Sequence, residues 1–340
     1  MSAAATFVYV SCPNSGDICI YKLDLNSGAL TEIDRHEVGD QIAPMAISPD
    51  RRCLYAATRG TQPEIASFRI DPSTGTLAEI GRIELSDSLP YISVDQRGRF
   101  MLCASFQQGT VRVHPIGPRG QVQARPVMVE HNMPSAHCIK TDPSNRFVLA
   151  PVRDADMVIQ RRFDEGTGML TLNDPPVYRA RHNAGPRHFV FHPNHRFVFV
   201  VYEKDATVDA CGYDIASGKL SLIQTVNLLA ADFSGYRKAS DIQITPDGRF
   251  LYAGERETST LIAFAVDGNQ GKLTEVGRYA TQEVPRAFQI DPRGLFLVCP
   301  GERTKMLTVH KIDAATGALS DLVQYPTGDG ARHVEILDLP

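Results

Sequence analysis

GPRHFVFHPNHRFVFVVYE, residues 185–203, contains two apolar runs rich in Val and Phe, separated by a Pro-Asn turn. Runs of β-formers broken by turn residues read as two antiparallel strands of a hairpin. Arg187 and His188 open the first run and Glu203 closes the second, so pairing gathers these polar groups at one edge of a sheet. The same unit recurs as AISPDRRCLYAATR (46–59), ISVDQRGRFMLCAS (92–105), IKTDPSNRFVLAPVR (139–153), IQITPDGRFLYAGER (242–256) and FQIDPRGLFLVCPGE (288–302). Its second strands open at Cys53, Phe100, Phe147, Phe197, Phe250 and Phe296, spaced by 47, 47, 50, 53 and 46 residues. A further step of 46 back from Cys53 reaches Phe7, in the similar FVYVS, which makes seven units.

A second signature places Gly two residues ahead of an apolar one, at Gly28, Gly75, Gly120, Gly168, Gly218, Gly271 and Gly317. Gly supplies the positive φ of a hairpin turn, and in six of the seven an Asp four residues earlier caps it. Each unit therefore holds four short strands. Seven such units predict an all-β, seven-bladed β-propeller spanning 1–340 as one domain. A row of β-sandwiches would need about twice the residues per unit. The last segment, Arg332-His333-Val334-Glu335-Ile336-Leu337, matches the first-strand pattern Arg187-His188-Phe189-Val190 and is predicted to complete the blade begun at Phe7, removing the open edges.

A net charge of -4 argues against nucleic-acid binding, which needs a basic excess. MSAAATFVYV lacks the charged and apolar regions of a signal peptide, and no run reaches about eighteen apolar residues, so a cytoplasmic chain with no membrane partner is expected. The seven cysteines include no CxxC pair and read as packed thiols.

In a propeller the first strands line the axis, so their starts share one face with the ends of the second strands. The starts are Met45, Tyr91, His137, Arg187-His188, Asp241, Arg286 and Arg332-His333, and the ends are Arg59, Arg153, Glu203, Glu255-Arg256 and Glu302-Arg303. A focus of Arg favours a small anion bearing carboxylate or phosphate. The plainer reading, ion pairs bridging neighbouring blades, weighs most for Arg59, Arg153 and Glu302. His137, Arg187, Glu203 and Arg256 make a usable acid–base set. His192 and His195 have HxxH spacing but fall in a turn on the opposite face, where surface positions are expected. No GxSxG, P-loop, dinucleotide fingerprint or HExxH occurs, and the chain has no Trp for a WD40 signature, so neither metal nor cofactor is expected.

VYVSCPNSGDICIYKLD, PMAISPDRRCLY, AGPRHFVFHPN, DFSGYRKASDIQITPDGRFLYAGER and PRAFQIDPRG together resemble the seven-bladed lactonase propellers, a family that includes bacterial 6-phosphogluconolactonase and the fungal carboxy-muconate lactonising enzyme. The resemblance implies a metal-free site in which His137, Arg187, Glu203 and Arg256 carry the chemistry, with Arg286 a further member. The chain departs from the family pattern at Tyr202 and at Gly254-Glu255, the latter a charge beside Arg256. The implied activity is hydrolysis of an anionic sugar lactone, 6-phospho-D-glucono-1,5-lactone in the first place. A lactone-forming cycloisomerase of muconate type and a non-catalytic interaction platform are the alternatives.

For hydrolysis, His137 and Glu203 are the base candidates and Arg187 the oxyanion stabiliser. Arg256 and Arg286 are expected to clamp the anion, with His188 and Arg332 as further substrate-binding positions. Glu203 beside Arg187 should stay ionised, with its pKa pushed down. An unperturbed His137 titrates near neutrality and is favoured as base.

Overall fold

The structure, a computed structural model, describes residues 5–320 and 323–340. Seven four-stranded antiparallel sheets form the ring expected from the repeat. The second strands are Ala5–Cys12, Cys53–Ala57, Phe100–Ser105, Phe147–Val152, Phe197–Tyr202, Phe250–Glu255 and Phe296–Pro300. Blades are counted in that order, so Ala5–Cys12 belongs to the first and Phe296–Pro300 to the seventh. Neighbouring blades cover both faces of a second strand. Phe197–Tyr202 is buried at every position, whereas the outermost strand Leu30–Glu37 is largely exposed. Continuous apolar runs mark such doubly covered strands. Among the described residues no helix is long and apolar enough to cross a membrane.

The first recurring signature has a local cause. Asp142 Oδ1 accepts the backbone N–H groups of Arg146 and Phe147, both at 2.9 Å, and Asp95 and Asp291 do the same before Phe100 and Phe296. The carboxylate thus closes the turn and aims the aromatic residue into the blade interface.

The second signature meets the first across that interface. A Cβ placed on Gly75 (φ +74°) would lie 2.4 Å from the ring of Phe7, and one on Gly218 equally close to Phe147. Gly28, Gly168, Gly271 and Gly317 stand likewise against Phe296, Phe100, Phe197 and Phe250, and Gly120 against Cys53. The glycine is required by its backbone conformation and by the neighbouring blade's ring together.

The ring closes as predicted. His333–Leu339 is the innermost strand of the first blade and pairs antiparallel with Ala5–Cys12, from Ala5↔Leu339 to Ser11↔His333.

Four inner strands carry one residue more than their partners. Pro186 pairs with Tyr202 but His188 with Val201, leaving Arg187 as the extra residue. The same excess lies between Ala136 and Lys140, between Ala239 and Ile242, and between Pro285 and Gln289, which brackets His137, Asp241 and Arg286. A bulge re-aims side chains that a regular strand would send elsewhere.

Candidate active site

Arg59, Phe106, Arg153, Glu203, Arg256 and Glu302 each stand six residues after the opening of their second strand. Just past the strand, the backbone N–H of Glu203 donates to Gly185 O at 2.7 Å, and those of Arg59, Arg153 and Arg256 donate likewise to Gln41 O, Ser135 O and Lys238 O. Five of these six positions and two of the bulged inner-strand residues converge on a cavity of about 240 Å³. Arg59, Phe106, His137, Arg153, Glu203, Arg256 and Arg286 line it, with Ser88, Pro90 and Gln107. A narrower space of about 20 Å³ is lined by Arg59, Arg187, His188, Arg286 and Arg332.

Glu203 is the hub. Its Oε2 accepts from Arg187 Nε at 3.0 Å and pairs with Arg256 Nη2 at 2.9 Å, while its Oε1 faces Arg153 Nε at 3.2 Å. Burial alone would raise the carboxyl's pKa, but Arg187, Arg256 and Arg153 outweigh it and hold the pKa below the usual value. Glu203 is therefore an anion at neutral pH, as expected, with two more partners than expected.

His137 is buried against the cavity, its ring 5.2 Å from His188 and 6.0 Å from Phe106. Its Nδ1 is buried with no hydrogen-bond partner among the described residues. Burial, then the charge of Arg187, push its pKa well below 6.5, so the near-neutral titration of an unperturbed His does not apply. His188 is closed off from the main cavity. Its Nδ1 bonds Asp241 at 2.7 Å, Tyr91 packs edge-on at 5.2 Å, and burial with Arg187 lowers its pKa to about 3.

The arginines divide into two groups. Arg187 is 2% exposed, donates to Glu203 and to Ser240 O, and reaches the narrow space rather than the main cavity. Arg256 lines the cavity, but its Nε and Nη2 donate to Lys238 O and Ala239 O at 3.1 and 3.0 Å, so the framework already engages much of it. The second group, Arg59, Arg286 and Arg332, gathers near Glu302. Arg332 Nη2 pairs with Glu302 Oε1 at 2.6 Å and Arg286 Nη1 lies 3.8 Å from Glu302 Oε2. Among the described residues Arg59 has no carboxylate within ion-pair distance, and its Nε donates only to Leu89 O at 3.3 Å. Burial and the nearby Arg286 and Arg332 lower its pKa to about 9. Among the described residues Arg332 Nε is buried without a hydrogen-bond partner.

Arg59 and Arg153, for which the bridging reading weighed more than for His137 or Glu203, both line the cavity, and Arg153 also bridges the fourth and fifth blades through Glu203. The shared offset of six from each strand opening was the available signal. Phe106 occupies the same offset, but an apolar residue there is no signal of charge chemistry. Glu255, next to Arg256 in the chain, is turned toward the backbone. It is fully buried and its oxygens accept from Lys238 N and Thr258 N, both at 2.7 Å. Tyr202 is also buried, its ring under Arg181 at 4.8 Å. His195 is an exposed turn residue as expected, but His192 is buried, because its ring fills the place a Cβ would take on Gly248 of the next blade.

Residues 6–336 match the family described as lactonase, 7-bladed beta-propeller. The chain is 38% identical over 283 residues to the 6-phosphogluconolactonase of Pectobacterium carotovorum subsp. carotovorum, covering 83% of each protein. It is also 38% identical over 282 residues to that of Serratia proteamaculans, with the same coverage. Among solved structures, the periplasmic gluconolactonase of Pseudomonas aeruginosa superposes with a TM-score of 0.93 at 25% identity, covering 99% of this chain and 100% of that one. A Lactobacillus plantarum protein superposes at 0.90 with 23% identity, covering 98% and 100%, which speaks to the fold alone.

Proposed function

Because the chain belongs to the seven-bladed β-propeller lactonase family, we propose that it hydrolyses 6-phospho-D-glucono-1,5-lactone to 6-phosphogluconate in the cavity described above. The observation that carries this choice of substrate is the cluster in which three guanidinium groups, Arg59, Arg286 and Arg332, share the single carboxylate of Glu302. That leaves two positive charges unmatched, in a chain whose net charge is -4. A phosphate monoester carries about -1.5 to -2 at neutral pH and three acceptor oxygens, which complements the excess and gives Arg332 Nε and Arg59 partners. A neutral sugar lactone would leave these groups buried and repelling one another.

With the phosphate at that end, the lactone carbonyl lies toward His137, Glu203 and Arg153. Neutral His137 accepts a proton from the attacking water as the new C–O bond forms. Negative charge then collects on the former carbonyl oxygen, where the guanidinium groups of Arg153 and Arg256 stabilise it. Collapse of the tetrahedral intermediate breaks the bond to the ring oxygen, which leaves with the proton from His137. The low pKa makes His137 a weak base, but the imidazolium it forms is a strong acid toward the departing alkoxide. Glu203 keeps the guanidinium groups apart and in place, and Arg187, behind it, orients that carboxylate rather than touching the oxyanion. The cytoplasm, where sugar phosphates are made and retained, is the compartment this substrate implies.

The test is proton release over a panel of 6-phosphogluconolactone, glucono-1,5-lactone and a muconolactone followed in both directions. Preference for the phosphorylated lactone is expected. Turnover of the muconolactone alone would move the assignment to the lactonising reaction, and no turnover of any would leave a binding propeller.

A further inference from the structure

Five of the seven cysteines, Cys53, Cys103, Cys138, Cys211 and Cys299, are buried free thiols and pack as small apolar side chains. Cys12 and Cys19 are different. They lie at the seam where the first and seventh blades meet, Cys12 ending its second strand and Cys19 on the third strand, Asp17–Leu23. Their sulfurs are 3.7 Å apart, Asp17 Oδ1 lies 4.0 Å from Cys19 Sγ, and Thr327 Oγ1 of the adjoining blade lies 3.6 Å from Cys12 Sγ. Among the described residues Cys12, Asp17 and Cys19 are the one group of three potential ligands whose donor atoms lie within 4.8 Å of one another.

Two chemistries could explain a buried thiol pair, and the strand register separates them. Cys12 stands opposite Asp17 and Cys19 opposite Val10, so the cysteines are diagonal neighbours across the hairpin. Diagonal positions have Cα atoms roughly 7–8 Å apart, beyond the span of about 4.4–6.8 Å that a disulfide bridges. A tetrahedral cation with metal–sulfur bonds of about 2.3 Å sets its two thiolates about 3.8 Å apart, the edge of the tetrahedron. The observed 3.7 Å suits a shared cation. Asp17 supplies a third ligand on the same face and keeps partial contact with solvent, which gives an ion a path inward, while Arg35 Nη1, 3.8 Å from Asp17 Oδ2, can hold the non-coordinating oxygen. The backbone seals the other side. A Cβ on Gly328 would strike Cys12 Sγ at 2.7 Å and Asp17 Oδ1 at 2.9 Å.

We propose that Cys12, Cys19 and Asp17 bind one thiophilic divalent cation, of zinc or cadmium type, at the seam that closes the ring, with the Thr327 hydroxyl or a water completing four-coordination. The site shares no residue with the lactone cavity, so it stands or falls apart from the lactonase reading. Its consequence is structural, because it would tie the second and third strands of the first blade to the segment leaving the seventh.

The full-length protein, reduced and stripped with a chelator, would be titrated with cadmium alone while the ultraviolet thiolate-to-cadmium absorption is followed. One equivalent per chain is expected, with the band lost in Cys12→Ser and in Cys19→Ser and affinity at least about tenfold weaker in Asp17→Asn. Cys138→Ser should titrate like the parent. In the unmutated chain, cadmium should also shield Cys12 and Cys19 from alkylation, mapped by mass spectrometry, which needs no variant to fold. Absence of a stoichiometric band, its persistence in the Cys12→Ser/Cys19→Ser double variant, or equal alkylation of both thiols with and without cadmium would each overturn the site.

Discussion

Arg59→Ala separates substrate selection from catalysis more cleanly than any other change in the cavity. Among the described residues the Arg59 guanidinium has one hydrogen bond, to Leu89 O at 3.3 Å, and no carboxylate that its removal would strand. It stands among Arg286 and Arg332, whose repulsion helps lower its pKa to about 9, so deleting it relieves strain in the unliganded protein. A charge-assisted hydrogen bond to phosphate contributes about 1.5–3 kcal/mol, which at about 1.4 kcal/mol per decade is about tenfold to a hundredfold in kcat/KM. The expected result is that loss on 6-phosphogluconolactone, little change on glucono-1,5-lactone, and a thermal midpoint unchanged or slightly raised. Initial rates of proton release on both lactones, beside a melting curve, measure all three. An equal loss on the two substrates would assign Arg59 to the reacting end, and no loss on either would refute phosphate binding by this cluster.

His137→Ala should lower kcat by about 10²–10⁴-fold, and the acid limb of the wild-type rate profile should lie well below pH 6.5; a limb centred near 6.5, or one abolished by Glu203→Gln, would remove His137 from the base role. Hydrolysis should survive exhaustive chelation, since the cavity holds no cluster of metal ligands among the described residues, and restoration of lost activity by a divalent ion would contradict the mechanism. Removing 333–340 takes away the strand paired along Ala5–Cys12 and should produce aggregation or a much lower melting temperature; unaltered unfolding would count against closure by that strand. Burial raises the Glu335 carboxyl to about 8, so the stability tied to its protonated form is full below about pH 4.5 and lost as pH rises through 8. Glu335→Gln should accordingly melt higher than the parent by a margin that grows across that window, and a pH-independent difference would show that the carboxyl does not titrate there. His188 and His333, lowered to about 3 and 4, have the opposite sense: the stability of their neutral forms is present above about pH 6.5 and lost as pH falls below it.

The blades could be read from the sequence because their signals are local. An Asp directly after the first strand caps the turn before Phe100, Phe147 and Phe296, and a Phe opens the next strand in most blades, so spacing alone placed Phe100, Phe147, Phe197, Phe250 and Phe296 at the first residues of their second strands. The rim was legible for the same reason, since a fixed offset from a strand opening fixes a height in the ring. How each side chain spends its donors was not legible. Arg256 and Arg286 look alike in sequence, yet Arg256 donates to two backbone carbonyls and Arg286 faces Glu302 across 3.8 Å. Nor could spacing reveal that Arg153 and Arg256 join Arg187 at Glu203, or that burial beside Arg187 takes His137 out of the neutral range, because these arise from contacts between blades about fifty residues apart.

The glycine-to-aromatic contacts between blades also determine how damage would travel. Each links a blade only to the one before it, Gly218 of the fifth to Phe147 of the fourth and Gly28 of the first back to Phe296 of the seventh, so the ring is a closed chain of nearest-neighbour couplings. A side chain forced onto Gly218 would pry apart one seam and leave the other six engaged. Amide exchange should then quicken on both sides of that seam and stay slow across the molecule, and the arginine-lined cavity, assembled from residues of several blades, would loosen on one wall only.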